Sequence, residues 1–197
     1  MNRLSFAGLA LASLFVVGCG SKGETAPTAA KAPSPAALAR RSVKSTLDTD
    51  ASKIVKTPKV TTIEDMMATK APEGDLAGRV APFETTTWQV EATIKSVELK
   101  KDGDFYMVLE GDKGGQTVVE VPDPKTVVGS PFEADITTTR KELEEKYHPT
   151  PEVKELNEKA TITGVGFLGW GKKGKAATGK SGPRLNPGTT VTFKKGG

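Results

Sequence analysis

Thr87-Trp88-Gln89-Val90-Glu91-Ala92-Thr93-Ile94-Lys95-Ser96-Val97-Glu98-Leu99 is the stretch on which the fold turns. Trp88, Val90, Ala92 and Ile94 alternate with polar residues, the period of a strand with one buried face. The phase then slips, because Val97 and Leu99 fall one step out of register. A β-bulge at Lys95-Ser96 accounts for the slip: one extra residue bends the strand and raises its twist. Barrels need such bent strands to close.

The next segments extend this strand into a meander. Lys100-Lys101-Asp102-Gly103-Asp104 is a hairpin turn by its Asp-Gly. Phe105 to Glu110 is a strand, 111–115 a turn, and Gln116 to Val121 a third strand ended by Pro122-Asp123-Pro124. The period then changes. Ser130-Pro131-Phe132-Glu133 has the form of a capping box with proline at the first helical position. Phe132, Ile136, Leu143 and Tyr147 follow at helical spacing, and His148-Pro149 ends the run. A second short helix is expected from Thr150-Pro151-Glu152 through Leu156. Ala160 to Leu168 returns to strand, 169–188 is a Gly/Lys loop, and Thr189 to Lys194 is a last strand. The order β-β-β-α-β-β is that of a small five-stranded OB-like barrel, mainly β with one main helix. An open α+β sheet with the helix on one face is the other arrangement that this order permits.

Glu84-Thr85-Thr86-Thr87, Gly129-Ser130-Pro131-Phe132 and Thr163-Gly164-Val165-Gly166-Phe167 together resemble an uncharacterised family of exported bacterial OB-fold-like domains. The likeness spans about 84–193. It implies the barrel fold and export. The chain departs from the family pattern at Leu168-Gly169-Trp170 and the lysine loop, where the family's histidines are missing, so no histidine or metal chemistry carries over.

Ahead of that domain lies a leader. Arg3 is followed by a nearly all-apolar run, Leu4 to Val17, too short for the roughly 20 residues that cross a bilayer. Val16-Val17-Gly18-Cys19 resembles the lipobox of bacterial lipoproteins, and Cys19 is the only cysteine. That resemblance implies cleavage after residue 18, a diacylglycerol thioether on Cys19 and an acylated new terminus. Each buried methylene is worth about 0.8 kcal/mol, so three acyl chains hold a protein on a membrane essentially permanently. Gly20 in place of an aspartate points to an outer membrane facing the periplasm, or the cell surface, rather than an inner membrane. Residues 19–83 read as a lipidated, disordered Pro/Ala-rich tether, and 84–197 as the OB-like domain. Two tether pieces, from Ser34-Pro35 to Leu47 and from Thr62 to Met67, have helical patterns that would need docking on the domain to persist.

The formal net charge is +4 over 197 residues. After Glu158, the last acid, come Lys159, Lys172, Lys173, Lys175, Lys180, Arg184, Lys194 and Lys195. Trp170, between Gly169 and Gly171, with Lys172, Lys173, Lys175, Lys180 and Arg184, is the candidate ligand-binding surface, suited to an anionic envelope ligand or an envelope protein. The bland alternative is a solvated lysine loop. Gly174 to Ser181 spells a phosphate-binding loop and Gly164 to Gly169 spells GxGxxG, but neither opens a helix, so nucleotide binding is not expected. For Gly164 and Gly166, a strand whose glycines permit sharp barrel bending or close packing is the simpler explanation. His148 is the only histidine, and with one cysteine there is no zinc set. No cofactor, metal or catalytic residue is expected, and nucleic acid is not a favoured partner. The expected function is a membrane-anchored envelope lipoprotein with a non-catalytic OB-like binding module. The alternatives are a nuclease-like OB-fold enzyme and a structural or assembly lipoprotein. Trp88 and Phe105 are expected in the core, and Tyr106 is a further candidate for a binding face.

Overall fold

A computed structural model describes residues 35–72, 76–169 and 182–194. Its centre is strand β2, Thr86–Leu99, fourteen residues long. The strand is long because both its edges are used. One edge pairs antiparallel with β5 (Lys154–Leu168), from Thr87↔Val165 to Val97↔Lys154. The other edge pairs first with β1 (Val55–Val60), in parallel, and then with β3 (Phe105–Glu110), antiparallel. The register breaks between Ile94 and Ser96 against both β3 and β5, which is the expected bulge. β3 continues into β4 (Gln116–Val121), and β4 meets β6 (Pro183–Phe193) in parallel at Val119↔Leu185. β6 pairs with β5, and the β2–β5 pairing closes the six-stranded mixed sheet on itself.

The turns have the chemistry that their sequences promise. Gly103 sits at φ +89 and Gly114 at φ +80, values that a residue with a Cβ adopts only under strain. Helix α3, Glu133–Tyr147, lies between β4 and β5 in sequence. It turns Ile136, Thr139, Leu143 and Tyr147 inward, at the i, i+3, i+4 spacing of one helical face. The helix begins at Glu133, two residues past the expected Pro131, and the Ser130 and Glu133 side chains bond backbone amides in the turn ahead of it instead of forming the expected capping box. Ser130 Oγ accepts from the Phe132 amide at 3.1 Å, and the Glu133 carboxylate accepts from the Gly129 amide at 2.7 Å. His148 ends the helix in the left-handed region at φ 46.

Three segments differ from expectation. The short helix expected over 150–156 is absent: β5 already begins at Lys154, and Leu156, Glu158 and Ala160 alternate toward the interior. Pairing of Lys154 and Glu155 with Val97 and Ser96 beyond the bulge captures this segment as strand. The last strand begins at Pro183 rather than Thr189. The largest difference is over the expected tether, where ordered elements start at Pro35. Helix α1 (Pro35–Lys44), β1 and the short helix α2 (Ile63–Met67) all precede β2. The two helical pieces match the patterns read around Leu38–Val43 and Thr62–Met67; β1, interrupted by Pro58 and exposed at all six positions, has no inward period to betray it.

Burial explains why this segment folds. Ile63 is 0 % exposed and Met66 2 %, and both join the core with Val90, Ile94, Leu109 and Ile162. At about 1.5–3 kcal/mol for each fully buried side chain, α2 alone offsets the ordering of a few residues. Thr62 Oγ1 accepts from the Asp65 amide at 3.1 Å and caps it. On α1, Arg40 and Val43 are buried. Arg40 reaches Glu84 with both ends of its fork, Nη1 to Oε2 at 2.9 Å and Nη2 to Oε1 at 2.6 Å. Its remaining Nη protons go to the Gly78 and Leu168 carbonyls at 2.9 and 2.7 Å. Glu84 also accepts from the Val80 and Leu168 amides, at 2.8 and 2.7 Å. Arg79 pairs with Asp48, Nη2 to Oδ1 at 2.6 Å, and also donates to the Glu84 and Val43 carbonyls. A buried charge pair survives only when it is satisfied in this way.

Two outcomes follow for stability. Arg40→Met leaves the buried Glu84 carboxylate without its counter-ion and is expected to cost about 3–5 kcal/mol, read as a lower urea midpoint. Gly166 lies against the Phe83 carbonyl, and a Cβ there would also meet Trp88 Nε1 at 2.8 Å. Gly166→Ala is therefore expected to lower the melting temperature, at a cost of about 1–3 kcal/mol, whereas Gly78→Ala, with open space around it, leaves it unchanged.

Candidate binding face

The outer surface of the ring is set by alternation. Phe105, Met107 and Leu109 belong to the core, so Tyr106 and Val108 point outward. Val119 and Val121 are core, so Val118 and Glu120 point outward beside them, with Tyr106↔Glu120 and Val108↔Val118 paired. Leu185 is core, so its neighbour Arg184 faces out, where it pairs with Glu120. Phe167 pairs with Arg184 across β5 and β6. Val108, Val118 and Phe167 are nonetheless buried, so this outer face is covered.

Helix α1 crosses it. At one end, the Arg40 guanidinium stacks over the Phe167 ring at 4.4 Å and donates to the Leu168 carbonyl. One turn later, Lys44 Nζ sits among three carboxylates: Asp104 at 2.6 Å, Glu120 at 2.8 Å and Asp102 at 3.4 Å. Glu120 also accepts from Arg184 Nη1 at 2.6 Å. Thr46, just past the helix, hydrogen-bonds the Ser130 hydroxyl and so fixes its far end to the loop before α3. Thus α1 runs from the end of β5 to the β2–β3 hairpin.

The electrostatics favour the pairs. Burial works against the Lys44 charge, but the facing Glu120 and Asp104 carboxylates outweigh it and hold its pKa above the ordinary lysine value. Burial pushes the Asp104 carboxyl up, more than Lys44 pulls it down. Burial also raises the Tyr106 hydroxyl, so it stays protonated at neutral pH. Tyr106 forms the floor of a shallow cleft of about 610 Å³ beside α1, shared with Glu98, Lys100, Asp102, Glu120 and Pro151. Lys100 lies over the Tyr106 ring at 4.2 Å and pairs with Glu98 at 2.5 Å. Among the described residues no group of three or more His, Cys, Asp or Glu side chains is arranged to hold a metal ion. The carboxylates here already converge on a cation, the Lys44 ammonium.

The residues singled out in the sequence divide. Phe105 is buried in the core, with the Arg140 guanidinium 3.2 Å from its ring centroid. Trp88 is half-buried against the core, and its Nε1 donates to the Phe83 carbonyl at 3.0 Å. Arg184 is engaged with Glu120 inside the outer face. Trp170, Lys172, Lys173, Lys175 and Lys180 lie outside the described residues, as do Cys19 and the 174–181 stretch. Gly164 and Gly166 are close-packing positions, as their spacing in a strand suggested: a Cβ on Gly164 would stand 2.7 Å from the Pro187 carbonyl oxygen. Sequence reasoning missed Arg40, Lys44, Glu84 and Glu120. Arg40 and Lys44 stand four apart on a recognisable helical piece, but nothing local names their acidic partners, 44 to 76 residues away. No protein-family model matches the chain, and no curated protein matches it.

Because the folded-state pKa of Lys44 lies above the ordinary lysine value of 10.5, its contribution is whole below pH 10.5 and is lost as the pH rises beyond it. The difference in melting temperature between wild type and Lys44→Met is therefore expected to be constant near neutral pH and to shrink above 10.5. A difference that stays constant through that range would show that the ammonium contributes nothing.

Proposed function

We propose that the chain is a lipid-anchored protein of the bacterial cell envelope whose C-terminal domain is a non-catalytic OB-like barrel that binds an anionic envelope ligand through the 169–182 loop. Five strands in the ring order β2-β3-β4-β6-β5, with α3 inserted between β4 and β5, support the barrel reading. On it, β1, α1 and α2 are additions.

The observation that carries the reading is where the first described helix docks. Helix α1 starts at Pro35, and its Arg40 bonds the carbonyl of Leu168, one residue before the lysine-bearing loop. The lipobox cysteine is Cys19. Fully extended, the sixteen steps from Cys19 to Pro35 span at most roughly 55 Å. The first described helix and the last described residues before that loop thus meet at Arg40 and Leu168. By residue type, the lysines and Trp170 of this loop match an anionic lipid surface. Juxtamembrane lysines gain about 1 kcal/mol each near an anionic leaflet, and a tryptophan suits the interface. Anionic headgroups or lipopolysaccharide phosphates are the ligands of matching chemistry.

Two measurements test this. Cys19→Ala is expected to move the protein from the salt-washed membrane pellet to the soluble fraction and to remove the acyl mass from its N-terminus; a Cys19→Ala protein that stays in the pellet through a high-salt wash sinks the anchor. The soluble Cys19→Ala protein is expected to float with vesicles containing anionic lipid at low salt, and to lose that binding when Lys172, Lys173, Lys175 and Lys180 are changed to Gln. Equal flotation of both proteins would reduce the loop to a solvated surface.

A further inference from the structure

We propose that β1 is the edge on which the domain rests against an anionic lipid surface, so that the domain is oriented on a bilayer rather than only tied to it. The inference rests on the reading above for one thing, the anchor that brings the chain to a membrane. It uses no residue of the 169–182 loop.

The strand reads Val55-Lys56-Thr57-Pro58-Lys59-Val60, with a valine beside a lysine at each end. All six residues are exposed, because β1 pairs through its backbone with β2 alone and its side chains stand clear of the core. Val60 is 71 % exposed and Val55 57 %. Single exposed apolar residues are ordinary on any surface. Here they are concentrated: of the six large hydrophobics exposed among the described residues, Leu38, Leu47, Val55 and Val60 all fall in the stretch that follows Cys19 and precedes β2.

The charge of the same stretch has one sign. Between Asp50 and Glu64 there are three lysines and no acid. Lys56 Nζ donates to the Pro131 carbonyl at 3.1 Å, and Lys59 Nζ lies 5.4 Å from the Trp88 ring centroid; among the described residues neither meets a carboxylate. Lys53 pairs only with the solvent-facing Asp50, a contact that holds it weakly. Lysine and proline on an edge strand also keep it from pairing with another strand, which removes a strand-adding partner as the occupant. That device leaves the valines unexplained, since an edge protected by charge gains nothing from aliphatic side chains in water. A lipid surface accounts for both. Its anionic headgroups answer the lysines, its acyl boundary takes the valines, and it demands no strand register.

The test uses the full acylated chain, incorporated through its anchor into phosphatidylcholine vesicles with and without phosphatidylglycerol. Acylation occupies Cys19, the only cysteine, so a cysteine introduced by Val55→Cys or Val60→Cys is the sole free thiol for a nitrobenzoxadiazole label. Val128→Cys and Val153→Cys, at exposed valines outside the stretch, are the controls. The quencher is phosphatidylcholine spin-labelled near its headgroup. With phosphatidylglycerol present, labels at 55 and 60 are expected to be quenched at least about twofold more than those at 128 and 153. The excess is expected to vanish without phosphatidylglycerol, at high salt, and in Lys53→Gln/Lys56→Gln/Lys59→Gln. Equal quenching at all four positions overturns the proposal. So does quenching at 60 that survives the three changes, or that is lost only when Lys172, Lys173, Lys175 and Lys180 become Gln. A chain without acyl mass overturns the anchor and not this face, which flotation then decides. Unanchored wild type is expected to float with the phosphatidylglycerol vesicles at low salt at least about tenfold more tightly than the variant with Lys53, Lys56 and Lys59 changed to Gln. Equal flotation of the two overturns it.

Discussion

The Arg40–Glu84 pair is the constraint on which the arrangement of the N-terminal half depends. Glu84 sits at the threshold of β2, and its carboxylate is saturated by the Arg40 fork and by two backbone amides, of Val80 and Leu168. One side chain thereby ties together α1, the turn before β2 and the last residue of β5. Neither ion could be buried alone, because an unpaired charge in this interior costs several kcal/mol. The pair therefore imposes order on whatever carries its halves. A stretch rich in proline and alanine becomes part of the domain because it delivers the guanidinium.

The ring itself was legible in the alternation around Trp88–Leu99. The phase slip at Lys95-Ser96 is a bulge in the structure, and the Asp-Gly turn and the helix after Ser130 stand where their residues place them. The signals there are local: period, turn chemistry, capping. What escaped was non-local. β1 is exposed at all six positions, and its parallel pairing with β2 is a property of backbone hydrogen bonds rather than of side-chain pattern. The stretch after Pro151 looked helical at its start, yet edge pairing with the bulged end of β2 decided for strand. α1 was visible as a helical piece, but whether it docks rests on Glu84, Asp104 and Glu120, which composition cannot assign to it.

The candidate site divides along the same line. Clustered lysines are conspicuous in a sequence because they are contiguous. The acidic face is assembled from the turn before β2, the β2–β3 hairpin and β4, with cations from α1 and β6, so no window of sequence contains it. Arg184 illustrates the difference. Counted with the basic run after Glu158, it reads as part of a cationic surface; in the fold it answers Glu120.

The order of attachment along the chain has a mechanical consequence. Any pull arriving from the N-terminus meets α1 first, then β1, then α2, before it reaches a strand of the closed ring. The first of these is fastened by side-chain ion pairs and the second by one parallel edge, while β2 is held along both edges. Load is thus shed in graded steps at the periphery, each releasing more chain, and the ring stays intact until the peripheral elements have been peeled away. The N-terminal elements act as a shock absorber in series with the closed ring.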